Sequence, residues 1–542
     1  MYSKAVWIRP LKFSAEQRNL KSYVIIGALC VFLLTTSRAL ADSKLTEHEM
    51  AARIDSLLEA AWKENGVKPA PPAADAEFLR RAWLDLCGII PPINDNDGKT
   101  GIHSFLKDPS PDKRERLVKS LLKKPTHATH FANVWKNVMI PPDANVRRFG
   151  GGNGFETWVR GQFADNVPYN KMVSDLILAQ GNANQTGPAL FYTSLSLKPE
   201  ELAASTSRIF LGNQIQCAQC HDHPFEHWTR KDFWGYAAFF ARLQRSTQPN
   251  QVAFQVIDIA KGEVKIPETD DVVPAQFLGG EVSKDVDDKT RRVRLAKWLT
   301  AAENPWFARA TVNRVWAMLF GRGIVDPVDD LGKHNTPSHP KLLDELSRYF
   351  ADTGFDMDRL IRTLTITRAY QLSSESTADQ EHLPELFSRM SIKTMSAEQL
   401  YDCLAEAMRR RDGSTTNQQQ FGRGINQNRQ AFLTKFRAPT QGATEYEAGI
   451  PQALTLMNGT NIRQATDLAQ SDLLIALDAP FFSNAKRVEV LFLSTLSRMP
   501  DEDERKQFVD YVQKGGATGD NRKALSDVLW ALLNSAEFVL NH

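Results

Sequence analysis

Asp75-Ala76-Glu77-Phe78-Leu79-Arg80-Arg81-Ala82-Trp83-Leu84-Asp85-Leu86-Cys87-Gly88 is followed directly by Ile89-Ile90-Pro91-Pro92. Leu79, Trp83 and Leu86 recur at helical spacing, Asp75 stands where a capping residue would, and Gly88 supplies a left-handed stop. The two prolines then forbid continuation. The same grammar recurs on both sides. Thr46-Glu47-His48-Glu49 has capping-box form, and Met50, Ile54, Leu57 and Leu58 make a stripe that ends before Gly66. Further helices are expected at about 112–123, 155–164, 169–179, 199–216, 229–242, 291–301, 306–319, 339–351, 357–370, 396–410, 486–497, 501–513 and 521–540.

The fold class is therefore mainly α. One stretch departs from the helical period: Phe254, Val256 and Ile259, then Lys261-Gly262, then Val264 and Ile266, which predicts a small β-hairpin. It lies between two helical blocks and suggests two helical domains, 42–245 and 286–542, joined by a small β region at 246–285. The stretch 411–450, rich in Gln, Asn and Gly, reads as a long surface excursion. No internal repeat of solenoid length is present.

The chain has 542 residues, 42% hydrophobic and 24% charged, with 66 basic against 64 acidic residues. That composition excludes disordered and collagen-like classes, and the balanced charge gives no footprint for nucleic acid. The small positive excess is concentrated at the start. Lys4, Arg9, Lys12, Arg18 and Lys21 precede an apolar run from Tyr23 to Leu34, and Ala39-Leu40-Ala41 fits a signal-peptidase site. Residues 1–41 are expected to be a signal peptide, with Asp42 the first mature residue and the cell envelope or periplasm the destination. The rival reading is an uncleaved anchor, which would be the chain's one membrane contact. Without residues 1–41 the chain keeps 60 basic and 63 acidic residues, a formal charge of −3, and the cysteines Cys87, Cys217, Cys220 and Cys403. Four cysteines in so long a chain do not make a disulfide scaffold.

The sharpest chemical signal is Cys217-Ala218-Gln219-Cys220-His221-Asp222-His223-Pro224-Phe225-Glu226-His227-Trp228. Cys-x-x-Cys-His is the spacing at which two thiols add to the two vinyl groups of haem while the adjacent imidazole becomes the proximal iron ligand. Cys217, Cys220 and His221 are the candidate haem c residues, and an electron-transfer role would need a redox partner protein in the envelope. Phe225, Trp228, Phe233, Trp234, Tyr236, Phe239 and Phe240 could wall a porphyrin or simply form the buried face of a helix capped at Thr229. Met139, Met172 and Met318 are nominal sixth ligands. Two other readings stay open: a zinc site drawn from Cys217, Cys220, His221, His223 and His227, or a disulfide between the two cysteines, either of them in a binding or scaffold protein. A second polar cluster holds Asp329, Asp330, His334 and His339, which could serve a hydrolase acting on polysaccharide. The bland alternative is a loop with Ser338 capping the next helix.

Arg80 to Gly88, Asn166-Val167-Pro168-Tyr169 and Phe210-Leu211-Gly212 leading into the cysteine motif resemble the first of two paired domains of unknown function. Arg291 to Leu299, Asn304-Pro305, Val312 to Trp316, Phe320 to Val325, Pro337-Ser338-His339-Pro340, Gln452 to Asn458 and Glu537 to His542 resemble the second. These are the cytochrome-c-associated families, numbered fifteen-forty-nine and fifteen-fifty-three, of planctomycete bacteria. The resemblance implies export. It also implies no shared disulfide at Cys87, where Thr is usual, and it carries no activity onto Asp329, His334 or His339.

Overall fold

A computed structural model describes residues 45–142, 153–182, 186–246, 255–280, 282–283, 291–375, 383–408, 429–436 and 459–542. Residues 1–41, expected to be a signal peptide, and most of the 411–450 stretch lie outside the described residues. Within that stretch, 429–436 is helical.

The helical reading holds closely. Asp75–Cys87 is a helix ended by Gly88 at φ 70, and a Cβ there would stand 2.4 Å from His130 Nδ1, so glycine is required twice over. The start differs by one position. Ala74 is the N-cap, and Asp75 instead pairs with Lys113 and Arg114. Thr229 caps Arg230–Ala237 in a full capping box with Asp232. Ser338 is not a cap: His339 occupies that position before Pro340–Asp352, and the Ser338 hydroxyl turns to the Ile324 carbonyl.

Two expected helices are broken. The 199–216 stretch is α-helical over Pro199–Thr206, opens into a π turn at Ser207–Leu211, and stops at Gly212 in the left-handed region. The last expected helix ends at Leu533, and a short turn Ala536–Val539 leads into a strand. Pro125–Met139 is a helix without a sequence forecast, because buried His127 and Asn133 interrupt its apolar stripe.

The β structure is small and differently paired from the predicted hairpin. Strand β3 (Gln255–Asp258) lies between β1 (Gly181–Asn182) and β2 (Leu243–Ser246), antiparallel to both. Strand β4 (Val264–Lys265) pairs with β5 (Val272–Val273). Both forecast runs are strands, but each has another partner. Gly262 turns the chain against Ala241, where a Cβ would meet a carbonyl oxygen at 2.4 Å. A third pair joins β6 (Lys393–Thr394) to β7 (Leu540–Asn541).

Glu47–His542 form one unit with two apolar clusters. The larger draws on residues from Met50 to Met390, with Leu493 joining them. The smaller takes Leu84 and Ile90 from the early chain and packs them among residues 400–538. Charged groups of the Asp75–Cys87 helix reach into both surroundings. Arg80 donates to the carbonyls of Thr495, Glu537 and Phe538 at 2.9–3.1 Å, and Arg81 donates to those of Tyr370 and Leu372 at 2.7 and 2.9 Å. Asp85 accepts from Lys393 Nζ at 2.5 Å, from Asn541 Nδ2 at 2.6 Å and from the Tyr370 hydroxyl at 2.9 Å. Lys393 also donates to the Leu319 carbonyl. Burial lowers the pKa of Lys393 and brings Arg80 down to about 10. Such groups stay charged in the interior because every charge meets opposing dipoles or a counter-ion.

Candidate functional site

The cysteine motif leaves the core immediately after the π turn. Gln216–Gln219 is a 3-10 turn whose one buried residue is Ala218. Trp234 Nε1 donates to the Gln219 carbonyl at 3.1 Å and ties the turn to the core. Small Ala218 packs inward, and Cys217 and Cys220 face solvent as free thiols. His221 is exposed, and its Nδ1 lies 2.7 Å from the Asp222 carbonyl. A carbonyl only accepts, so Nδ1 donates this bond, and Nε2 is the nitrogen that an incoming ligand would meet.

The return of the loop has its own lock. His223 N donates to the Trp228 carbonyl at 2.8 Å, while His223 Nδ1 accepts from the backbone of Phe225 and Glu226 at 3.2 and 3.0 Å. That fixes the neutral His223 tautomer with its proton on Nε2, so neither nitrogen offers a free lone pair. His227 packs against Trp228 with ring centroids 4.1 Å apart and the planes tilted by 37°. Among the described residues no group of three or more His, Cys, Asp or Glu side chains is arranged to hold a metal ion. The zinc candidates Cys217, Cys220, His221, His223 and His227 therefore share a loop without being gathered into a ligand set.

The aromatic run divides sharply. Phe233, Trp234, Tyr236, Phe239 and Phe240 are in the core, as is Trp228, whereas Phe225 is 78% exposed. Most of the proposed porphyrin wall is thus spent on packing. Met139 and Met172 are buried in the core, and Met318 packs against that core. Cys87 and Cys403 are buried free thiols, each pushed up to about 12 by burial.

The second cluster separates into three environments. Asp329 accepts from Arg208 Nη1 at 2.7 Å. His334 lies between two carboxylates, with Nδ1 2.7 Å from Glu226 Oε1 and Nε2 3.1 Å from Asp330 Oδ2. Two acceptors require both ring nitrogens to donate, which favours the imidazolium. The hydrogen bond to Glu226, assisted by Asp330, raises the His334 pKa. Burial opposes the Glu226 charge, but the bonds from His334 outweigh it and the carboxyl pKa falls. His339 sits elsewhere, packed on Phe387 with Nδ1 near the Ser338 hydroxyl, and burial lowers its pKa.

Glu226 and Arg208 carry these contacts without having been singled out from the sequence. Their partners are 108 and 121 residues away, and no local pattern signals such a pairing.

Residues 53–245 match PSCyt2, a protein of unknown function (DUF1549), and residues 291–512 match PSD1, a protein of unknown function (DUF1553). No curated protein and no solved structure matches the chain.

Proposed function

From the premise that the chain belongs to the paired PSCyt2 and PSD1 families, we propose that it is an exported redox protein carrying haem on Cys217 and Cys220, with His221 as the axial ligand. The carrying observation is that both thiols are free and exposed on one short turn next to an exposed imidazole whose Nδ1 is engaged by the Asp222 carbonyl. When bound, haem iron supplies one-electron chemistry. The chain's own contribution is attachment and orientation. The Asp222 carbonyl accepts from His221 Nδ1 and so orients the ring with Nε2 as the nitrogen that would serve a metal. Phe225 is the large apolar side chain that the loop presents to solvent. An attachment turn at the surface suits electron exchange with a partner protein of the envelope. The signal-like residues 1–41 support the same compartment, because covalent haem attachment and export occur together.

A reduced-minus-oxidised spectrum of protein exported in a host with c-type haem maturation tests this reading, beside Cys217→Ala, Cys220→Ala. The expected result is a c-type band in the wild type alone that survives denaturation. A colourless wild type overturns it, and thiol titration then asks whether Cys217 and Cys220 form a disulfide.

A further inference from the structure

The loop bearing Cys217, Cys220 and His221 starts at Gly212 and rejoins the core at Trp228, and one short stretch of the PSD1 segment holds both ends. At the start, Leu331 N donates to the Gly212 carbonyl at 2.7 Å, and Asp329 takes Arg208 Nη1 from the π turn. At the return, Glu226 Oε1 accepts from both the backbone N and the Nδ1 of His334, whose Nε2 is held by Asp330. The fit is close. A Cβ on Gly332 would stand 2.6 Å from Glu226 Oε1, and one on Gly212 would stand 2.8 Å from the Leu331 side chain.

Within the loop itself the ties are the His223 closure onto Trp228, Phe225 and Glu226, and the Trp234 bond to Gln219. Cys217, Cys220, His221, Asp222, Pro224, Phe225 and His227 are all exposed, so apolar burial acts mainly at Ile215, Ala218 and Trp228. A group attached through two thiols and an imidazole needs those three side chains fixed relative to one another, and fixing them is the work of surrounding contacts. Histidine suits the joint because its ring offers donors on opposite sides, one for a carboxylate of each segment.

We propose that residues 329–334 are a strap that sets the conformation of the cofactor-attachment loop, with His334 as its positioning residue. The proposal rests on the haem reading only for what the loop carries.

The test compares hydrogen exchange of full-length wild type, His334→Ala, Glu226→Ala and Glu226→Gln, in peptides covering 216–228 and, as an internal reference, 75–87. His334→Ala and Glu226→Ala are expected to speed exchange in 216–228 at least tenfold and leave 75–87 unchanged. Glu226→Gln keeps the acceptor oxygen and should stay near wild type. Unchanged 216–228 exchange in both alanine variants overturns the strap. If the wild type carries haem, both alanine variants should show several-fold lower haem per folded chain, and full occupancy in a loosened loop overturns the positioning role. A colourless wild type is a failure of the haem reading alone, and the exchange comparison still decides the strap.

Discussion

Asp85 and Glu226 are both carboxylates of the PSCyt2 segment that accept from a cationic residue of the PSD1 segment, but their surroundings differ. The Asp85 and Lys393 side chains are 3% and 5% exposed, whereas Glu226 is 6% exposed and its partner His334 is 42% exposed. Around Asp85 water cannot replace a lost partner, so the pair sets whether the two segments fold as one. Around His334 water can replace it, so the pair sets only the local shape of a loop. The same chemistry, a carboxylate bridged to a cation, serves stability in one place and positioning in the other according to how completely water is excluded.

The largest expected effect breaks the buried member. Lys393→Met leaves Asp85 as a buried charge without its counter-ion and should cost about 3–5 kcal/mol in denaturant unfolding. A loss below about 1 kcal/mol would mean that Tyr370 and Asn541 suffice to hold the carboxylate.

Next comes a buried pair that also crosses between segments. The Leu86 carbonyl takes the His127 Nδ1 proton at 2.8 Å, leaving a bare Nε2 that faces Asp358 Oδ1 at 3.8 Å. Burial pushes Asp358 up to about 6, helped by Asp356 and opposed by Arg362, and burial pushes His127 down to about 4. The signs oppose. The Asp358 contribution is present below the ordinary value of 3.8 and is lost as pH rises through about 6. The His127 contribution is present above 6.5 and is lost as pH falls through about 4. Asp358→Asn should therefore unmask stability that rises with pH across that window by roughly 2 kcal/mol, and His127→Gln stability that falls. Parallel pH profiles for the two variants would sink this account.

Smaller still is the exposed member. His334→Ala should leave the global unfolding midpoint unchanged while loosening the loop at 216–228. A midpoint shift as large as that of Lys393→Met would erase the contrast. The smallest effect on stability belongs to the Cys217→Ala, Cys220→Ala double variant without cofactor, because both thiols face solvent. In the native wild type, thiol labelling should modify these two cysteines and reach Cys87 and Cys403 only after unfolding, since both are buried with raised pKa values. Equal labelling of all four would show that the core opens readily.

The helical framework was legible because apolar spacing, Gly88 and the Thr229 cap are local signals. Long-range assignments were not. The hairpin forecast found both strands but missed that β3 pairs with β1 and β2, since short strands carry no label for their partner. Helix Pro125–Met139 stayed hidden behind polar His127 and Asn133, which are buried because other elements cover them. The carboxylate–imidazole cluster was visible as composition, but its division among Arg208, Glu226 and Phe387 depends on contacts across the fold.

The pairing of Asp85 with Asn541 orders events in time. Asp85 is synthesised 456 residues before the amide that completes its hydrogen bonding, and the strand carrying that amide pairs with the one carrying Lys393. The early helix must wait, with Arg80 and Asp85 incompletely satisfied, until nearly the whole described chain has emerged. Contacts of such sequence separation slow folding and leave unfinished chains exposed. A nascent chain halted before residue 540 would leave Asp85 without the Asn541 amide and Lys393–Thr394 without its strand partner, so the seam between the two halves would stay open to water.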